Sequence, residues 1–177
     1  MSDRSVDAAD SARLLDGRRV SLRPLTGADA EAVLALHQHL SDHDRYFRFF
    51  TLQLSPLHDL VAKLTEPADG LYALGAFDGD RLIGVAHCVV VDDPEVAEVA
   101  VVVAHRDHSV GVGTALLKHL APLARAHGVT RFVADVLGEN HLMLTVFFDL
   151  GWPCRPNDYG SIRHLEIELP KFDEAPA

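Results

Sequence analysis

Glu98 is the only ionisable residue in an apolar run, AEVAVVV, at positions 97–103, and Gly111 and Gly113 follow in a short polar loop. Directly after those glycines the chain reads TALLKHLAPLARAH, with apolar residues at helical spacing. A strand, a glycine loop and a helix start make an anion site when they follow one another. The first N–H groups of a helix have no partner inside it, and the helix dipole puts positive potential at the same end. Phosphate groups suit such a site. A carboxylate a few residues upstream, on the feeding strand, adds a candidate general base. The pair of features points to group transfer from a phosphate-bearing cofactor. Two plainer readings stay open on residues alone: Glu98 as a surface carboxylate on an edge strand, and the glycines as an ordinary tight turn. Glu95, beside Pro94 at the strand entrance, is the rival carboxylate and reads as solvated.

The elements around this run follow from local pattern. Arg18, Val20 and Leu22 alternate with Arg19, Ser21 and Arg23, a first strand that Pro24 ends. Thr26, with Asp29 three residues on, starts a helix in capping-box fashion, and Ala32, Val33, Leu36 and Leu40 give it an apolar face. The aromatic stretch with Tyr46, Phe47, Phe49 and Phe50 reads as core or as part of a substrate cleft. Ser55-Pro56 opens a helix carrying Leu57, Leu60, Val61 and Leu64. Runs 71–77 and 81–91 flank Asp78-Gly79-Asp80 and predict a hairpin, with the strand 96–104 continuing an antiparallel meander. Residues 114–127 form a long amphipathic helix closed by Gly128, and 130–136 form a strand. That strand–helix–strand unit predicts a parallel crossover between the strands at 96 and 130. Gly138-Glu139-Asn140 opens a last helix at 141–150, and 162–169 form a final strand. The fold class is α/β, with a central mixed, mostly antiparallel sheet and helices on both faces.

At 177 residues the chain reads as one domain at 17–170 between a disordered tail at 1–16 and a short tail at 171–177. Its formal net charge of −10 argues against a nucleic-acid partner and mildly favours a cationic substrate. No apolar run is long enough to cross a bilayer, and the polar start MSDRSVDAADSAR has no apolar signal core, so no membrane partner and a cytoplasmic location are expected. The two cysteines, Cys88 and Cys154, lack metal or redox spacing and read as reduced core thiols. Eleven histidines include the groups His37, His39, His43 and His105, His108, but His37 and His39 point to different helix faces, and no metal site is expected.

With these residues placed, the sequence resembles the GNAT superfamily of N-acetyltransferases over most of its length. That family's acyl-CoA loop, Gln/Arg-x-x-Gly-x-Gly/Ala, is matched by His108-Ser109-Val110-Gly111-Val112-Gly113 and then Thr114-Ala115-Leu116-Leu117. Its last helix, Asn-x-x-Ala-x-x-Leu-Tyr-x-x-x-Gly-Phe, is matched by Asn140-His141-Leu142-Met143, Val146-Phe147 and Gly151-Trp152. Closer similarity, in RPLTGADAEAVLALHQHLSDHDRYFRFF and AEVAVVV, is to the catalytic domain of bacterial protein-lysine acetyltransferases of the cyclic-nucleotide-regulated type. No stretch of the sequence is assigned to their sensor. The resemblance implies an acetyl-CoA-dependent acyltransferase that attacks directly in a ternary complex, with Glu98 as general base and acetyl-CoA as co-substrate. It implies that main-chain N–H groups around Val101, Val102 and Val103 pair with the pantetheine arm, one of them polarising the thioester carbonyl. It also implies that the loop from Ser109 through Val110, Gly111, Val112 and Gly113 to Thr114 holds the pyrophosphate. Asn140 would bond the pantetheine or simply cap its helix.

Two positions depart from the family pattern. His108 replaces the loop's Arg/Gln and is expected to hold the pyrophosphate with a weaker or pH-dependent contact, and Phe147 replaces the helix tyrosine that often protonates the departing thiolate. A phenyl ring has no proton to give, so water supplies it or the thiolate leaves unaided. A thiol, with an ordinary pKa near ~8.5, is a far better leaving group than an amide. Holding a lysine amine neutral at pH 7 costs about 4–5 kcal/mol, part of which a carboxylate base can supply. Ala100 and Val102 share Glu98's strand face and are expected to desolvate it. The acceptor expected is a protein lysine; a small-molecule amine is the alternative, and a non-catalytic acyl-CoA sensor is the reading from another class. The chain is expected to act as a monomer or homodimer.

Overall fold

A computed structural model describes residues 10–40, 57–66 and 68–171. The strands are β1 (Asp10–Arg13), β2 (Arg19–Pro24), β3 (Leu71–Asp78), β4 (Arg81–Val90), β5 (Val96–Val103), β6 (Arg131–Leu137), β7 (Cys154–Tyr159) and β8 (Ile162–Glu168). The helices are α1 (Ala30–Gln38), α2 (Leu57–Thr65), α3 (Val112–Ala126) and α4 (His141–Asp149). The strands form one eight-stranded sheet in the order β1-β2-β3-β4-β5-β6-β8-β7. Every neighbouring pair is antiparallel except β5 and β6, which run parallel through the crossover helix α3. The mixed α/β architecture read from the sequence is therefore the observed one.

Period-two alternation along the strands sorts the core into two layers. Val99 and Val101 of β5 pack with Leu116, Leu117 and Leu120 of α3 and Phe147 of α4. Val102 points the other way and packs with Phe77, Leu82 and Val85, beneath Val33 and Leu36 of α1 and Leu60, Val61 and Leu64 of α2. Each such side chain removed from water contributes about 1.5–3 kcal/mol before conformational entropy is subtracted. The approach to α1 is pinned by Asp29, whose carboxylate accepts two bonds of 2.8 Å from the Arg23 guanidinium and one of 2.8 Å from the Thr26 N–H. Arg23 holds that carboxyl below the usual carboxylate range. Its stabilisation is thus present above the unfolded pKa and is lost as pH falls through the folded one.

The structure departs from the sequence pattern in four places. Residues 10–13, assigned from sequence to a disordered tail, form β1 and pair with β2. Strand β7 was not read, because Pro156, Asn157 and Asp158 are strand breakers; it is held as an edge strand by antiparallel pairing with β8. Thr26 opens a short 3-10 turn at Gly27–Asp29 rather than the α-helix itself, which starts at Ala30. Helix α3 starts at Val112, two residues before the apolar periodicity becomes visible. The aromatic stretch with Tyr46 to Phe50 and the approach to α2 through Pro56 lie outside the described residues.

Cys88 lies on β4 with no solvent exposure, and burial pushes its thiol up to about 12. In the unfolded chain the thiol ionises near 9. The folded state therefore keeps its proton where the unfolded state loses it, and stability falls as pH rises above about 9. Iodoacetamide at pH 8 is expected to leave Cys88 unmodified in the native protein and to label it in guanidinium, as peptide mass spectrometry would show.

Candidate active site

The β5–β6 ladder is short. Val96, Ala97 and Glu98 pair with Arg131, Phe132 and Val133, and no β6 residue pairs with β5 beyond Glu98. The two strands part there, and a cleft of about 260 Å³ opens between them. Val99–Val103 line one wall, Ala134 to Val136 the other, and His108, Ser109 and Gly111 to Thr114 the floor. Helix α4 closes the side with Asn140, Met143, Val146 and Phe147.

Backbone direction on β5 follows from one bond. The Ala104 N–H donates to Ile83 O on β4 at 2.8 Å, so the even-numbered amides face β4. The amides of Val101 and Val103 face the opened side, whereas the amide of Val102 faces β4. The cleft thus receives main-chain donors from Val101 and Val103 and only the surface of Val102. An extended ligand can add itself to this edge like another strand.

The floor is the loop into α3. His105–Asp107 form a 3-10 turn whose buried Asp107 accepts from Arg18 at 3.0 Å and from Arg81 at 3.2 Å. Arg18 also bonds Asp78 at 2.9 Å and Arg81 pairs with it at 3.7 Å, so the exit of β5 is clamped to the approach to β2 and to the β3–β4 hairpin. His108 Nε2–H donates to Val103 O at 2.9 Å, and its ring meets that of His105 edge-on. The imidazole at the loop's Arg/Gln position is therefore a strut between the loop and the strand end. Ser109 has a φ of +64° and Gly111 a φ of +93°, so the chain turns sharply into the helix. Gly111 is the helix N-cap and supplies no side-chain cap, and the first helical bond is from Ala115 N–H to Gly111 O. The N–H groups of Val112, Gly113 and Thr114 consequently project from the helix end with the positive end of its dipole. A Cβ on Gly113 would lie 3.2 Å from both methyls of Val146, so a small residue here lets α3 and α4 meet closely at the cleft. An uncapped fifteen-residue helix, an open strand edge and a glycine-lined floor fit a nucleotide thioester.

Glu98 occupies the last ladder pair, at the mouth of the opening, on the face that α1 and α2 cover elsewhere. It is exposed rather than desolvated, contrary to the expectation from Ala100 and Val102, because among the described residues no helix covers the sheet at this point. Asn140 caps α4, its Oδ1 accepting from the Met143 N–H at 3.2 Å, and it also lines the cleft. Phe147 is buried against the α3 side of the core and faces the cleft.

Residue patterns missed two features of the site. Leu15, within the stretch assigned to a tail, donates its N–H to Val110 O at 2.9 Å and reaches over Gly111. Asp135, on the far wall, accepts from His164 Nδ1–H at 2.5 Å. Neither carries a local motif; the first depends on a contact between two distant turns and the second on pairing between distant strands. Among the described residues no group of three metal-ligating side chains converges. His37 and His39 each direct Nδ1 at the backbone carbonyl four residues back.

Comparison with known proteins agrees with this geometry. The family model described as the acetyltransferase (GNAT) family matches residues 34–152. The crystal structure of the GNAT domain of PAT from S. lividans superposes with a TM-score of 0.80 at 31% identity, covering 91% of this chain and 97% of that one. An acetyltransferase of Pseudomonas aeruginosa is 28% identical over 84% of each chain. A cAMP-binding acyltransferase from Mycobacterium smegmatis shares the fold, with a TM-score of 0.66 at 22% identity; the match covers 96% of this chain but 50% of that one. The chain belongs to the GNAT family of acetyltransferases. It is an acetyl-CoA-dependent transferase.

Proposed function

We propose that this acetyltransferase moves the acetyl group to the ε-amine of a protein lysine by direct attack in a ternary complex, with Glu98 as general base. The observation that carries the reading is the parting of β5 from β6 immediately after Glu98. The carboxylate stands where the acceptor enters, and the open amides of Val101 and Val103 stand where the thioester carbonyl is held. The sequence resemblance to the cyclic-nucleotide-regulated lysine acetyltransferases supports a protein acceptor.

The chain's own residues divide the work. Val112, Gly113 and Thr114 N–H groups, with the loop His108-Ser109-Val110-Gly111, hold the pyrophosphate. Val101 N–H or Val103 N–H polarises the carbonyl oxygen as charge grows on it. Glu98 accepts the ammonium proton, directly or through one water, so that the nitrogen lone pair can attack. Asn140 bonds the pantetheine while capping α4, and Phe147 packs against that arm without donating a proton. The departing thiolate takes its proton from water. A panel of lysine-containing proteins, Nα-acetyl-lysine amide and spermidine, assayed for thiol release, tests the acceptor. Higher kcat/KM on protein lysines supports the reading, and exclusive turnover of spermidine overturns it in favour of a small-molecule acceptor.

A further inference from the structure

The far wall of the cleft carries a carboxylate that the reaction as derived above does not use. In the parallel register Glu98 lies beside Val133, and Asp135 is two residues further along β6. Side chains paired in register share a sheet face, so Glu98, Val133 and Asp135 project from the same side. Asp135 lies opposite His164 in the β6–β8 ladder, which puts His164 on that side as well. The intervening residues Phe132, Ala134, Val136, Leu165 and Ile167 all point into the core beneath.

Asp135 is held and reachable at once. Its Oδ1 takes the His164 Nδ1–H at 2.5 Å, while its side chain remains 42% exposed and lines the cleft. The other face of the ring is turned toward Glu166, with Nε2 4.0 Å from Oε1, and Glu166 in turn lies 3.7 Å from Arg131. The ring is thus held through Nδ1, with Nε2 directed toward Glu166. The remaining cleft carboxylates differ in kind. Asp107 is buried under two arginines at the phosphate end, and Asp149 sits at the far end of α4. Among the described residues lining the cleft, Asp135 alone combines the acceptor face, a tethered geometry and access.

We propose that Asp135, oriented by His164, binds the ammonium group of the acceptor at the mouth of the cleft and so selects cationic amines. This rests on the amine-acetyltransferase reading above. Asp135 Oδ2 takes an N–H of the arriving cation while Oδ1 stays with His164, and Glu98 across the opening receives the proton that must leave before attack. Asp135 is the binding residue and His164 its positioning residue. The chain's net charge of −10 adds a general attraction of the same sign.

The test uses Nα-acetyl-lysine amide and spermidine as acceptors, with thermal unfolding and acetyl-CoA calorimetry as controls. Asp135→Asn keeps the shape and removes the charge. It is expected to raise KM for both amines at least ten-fold, with kcat within about three-fold and acetyl-CoA affinity unchanged, as for loss of a charge-assisted hydrogen bond. His164→Ala is expected to raise KM several-fold, and His164→Asn, which keeps a donor near the Nδ1 position, to recover most of the loss. An unchanged KM in Asp135→Asn, a fall in kcat alone, or a parallel loss of acetyl-CoA affinity would overturn the proposal. A wild-type protein that binds acetyl-CoA yet acetylates no amine would instead overturn the amine reading, and the proposal with it.

Discussion

Replacing Glu98 by Gln is expected to lower kcat/KM for amine acceptors by about 10²–10⁴, the range for removing a positioned general base. Acetyl-CoA affinity should hardly change, because Glu98 stands at the last ladder pair and not among the residues that line the cleft. The exposure of Glu98 shapes this expectation. An exposed carboxylate passes its proton on to solvent readily, and orientation and proximity account for most of its effect. Adding an external base that cannot itself be acetylated to an amide, such as a small tertiary amine buffer at rising concentration, should therefore recover part of the turnover in Glu98→Gln and leave the wild type unaffected. Equal turnover in mutant and wild type would remove Glu98 from the mechanism.

The second large effect is expected at Gly111. Its φ of +93° belongs to the left-handed region, where a β-branched residue is strained by roughly 1–3 kcal/mol. Gly111→Val should relieve that strain by turning the peptide into α3, which moves the Val112, Gly113 and Thr114 amides away from their common focus. Acetyl-CoA affinity is expected to fall at least ten-fold, each 1.4 kcal/mol being a factor of ten. Gly128 supplies the control. It closes the same helix with a φ of +95°, and nothing lies within 4 Å of a Cβ placed there. Gly128→Val carries the same backbone penalty at the opposite end of α3. It should lower the melting temperature by a similar amount and leave acetyl-CoA binding intact. Equal losses of affinity in the two variants would mean that the loop amides are not the anion site.

Much of this architecture was legible in the chain because local chemistry decides it. Asp78-Gly79-Asp80 marks the β3–β4 hairpin, Gly128 and Gly151 mark the ends of α3 and α4, and the period-two run 97–103 marks β5. The glycine loop and Glu98 could be found for the same reason, since each is fixed by its own neighbours. Features that depend on partners far away in sequence could not. β1 is a mostly polar tetrad that becomes a strand only by pairing with β2, and β7 holds Pro156 only because β8 supplies its ladder. Asp135 and His164 are twenty-nine positions apart and meet through strand register alone. The expected desolvation of Glu98 failed because neighbours on a strand do not tell whether a helix covers them. His108 could be placed at the loop, but its bond to Val103 O needs the strand end to curl back on itself.

Amide hydrogen exchange with and without acetyl-CoA, read residue by residue, tests the central claim most directly. Exchange should slow at Val101, Val103, Val112, Gly113 and Thr114, the main-chain donors left open by the parted strand and the uncapped helix. Val102, whose amide already faces β4, should change far less. Protection that spares both the β5 edge and the start of α3, at acetyl-CoA concentrations that saturate the protein, would contradict the account.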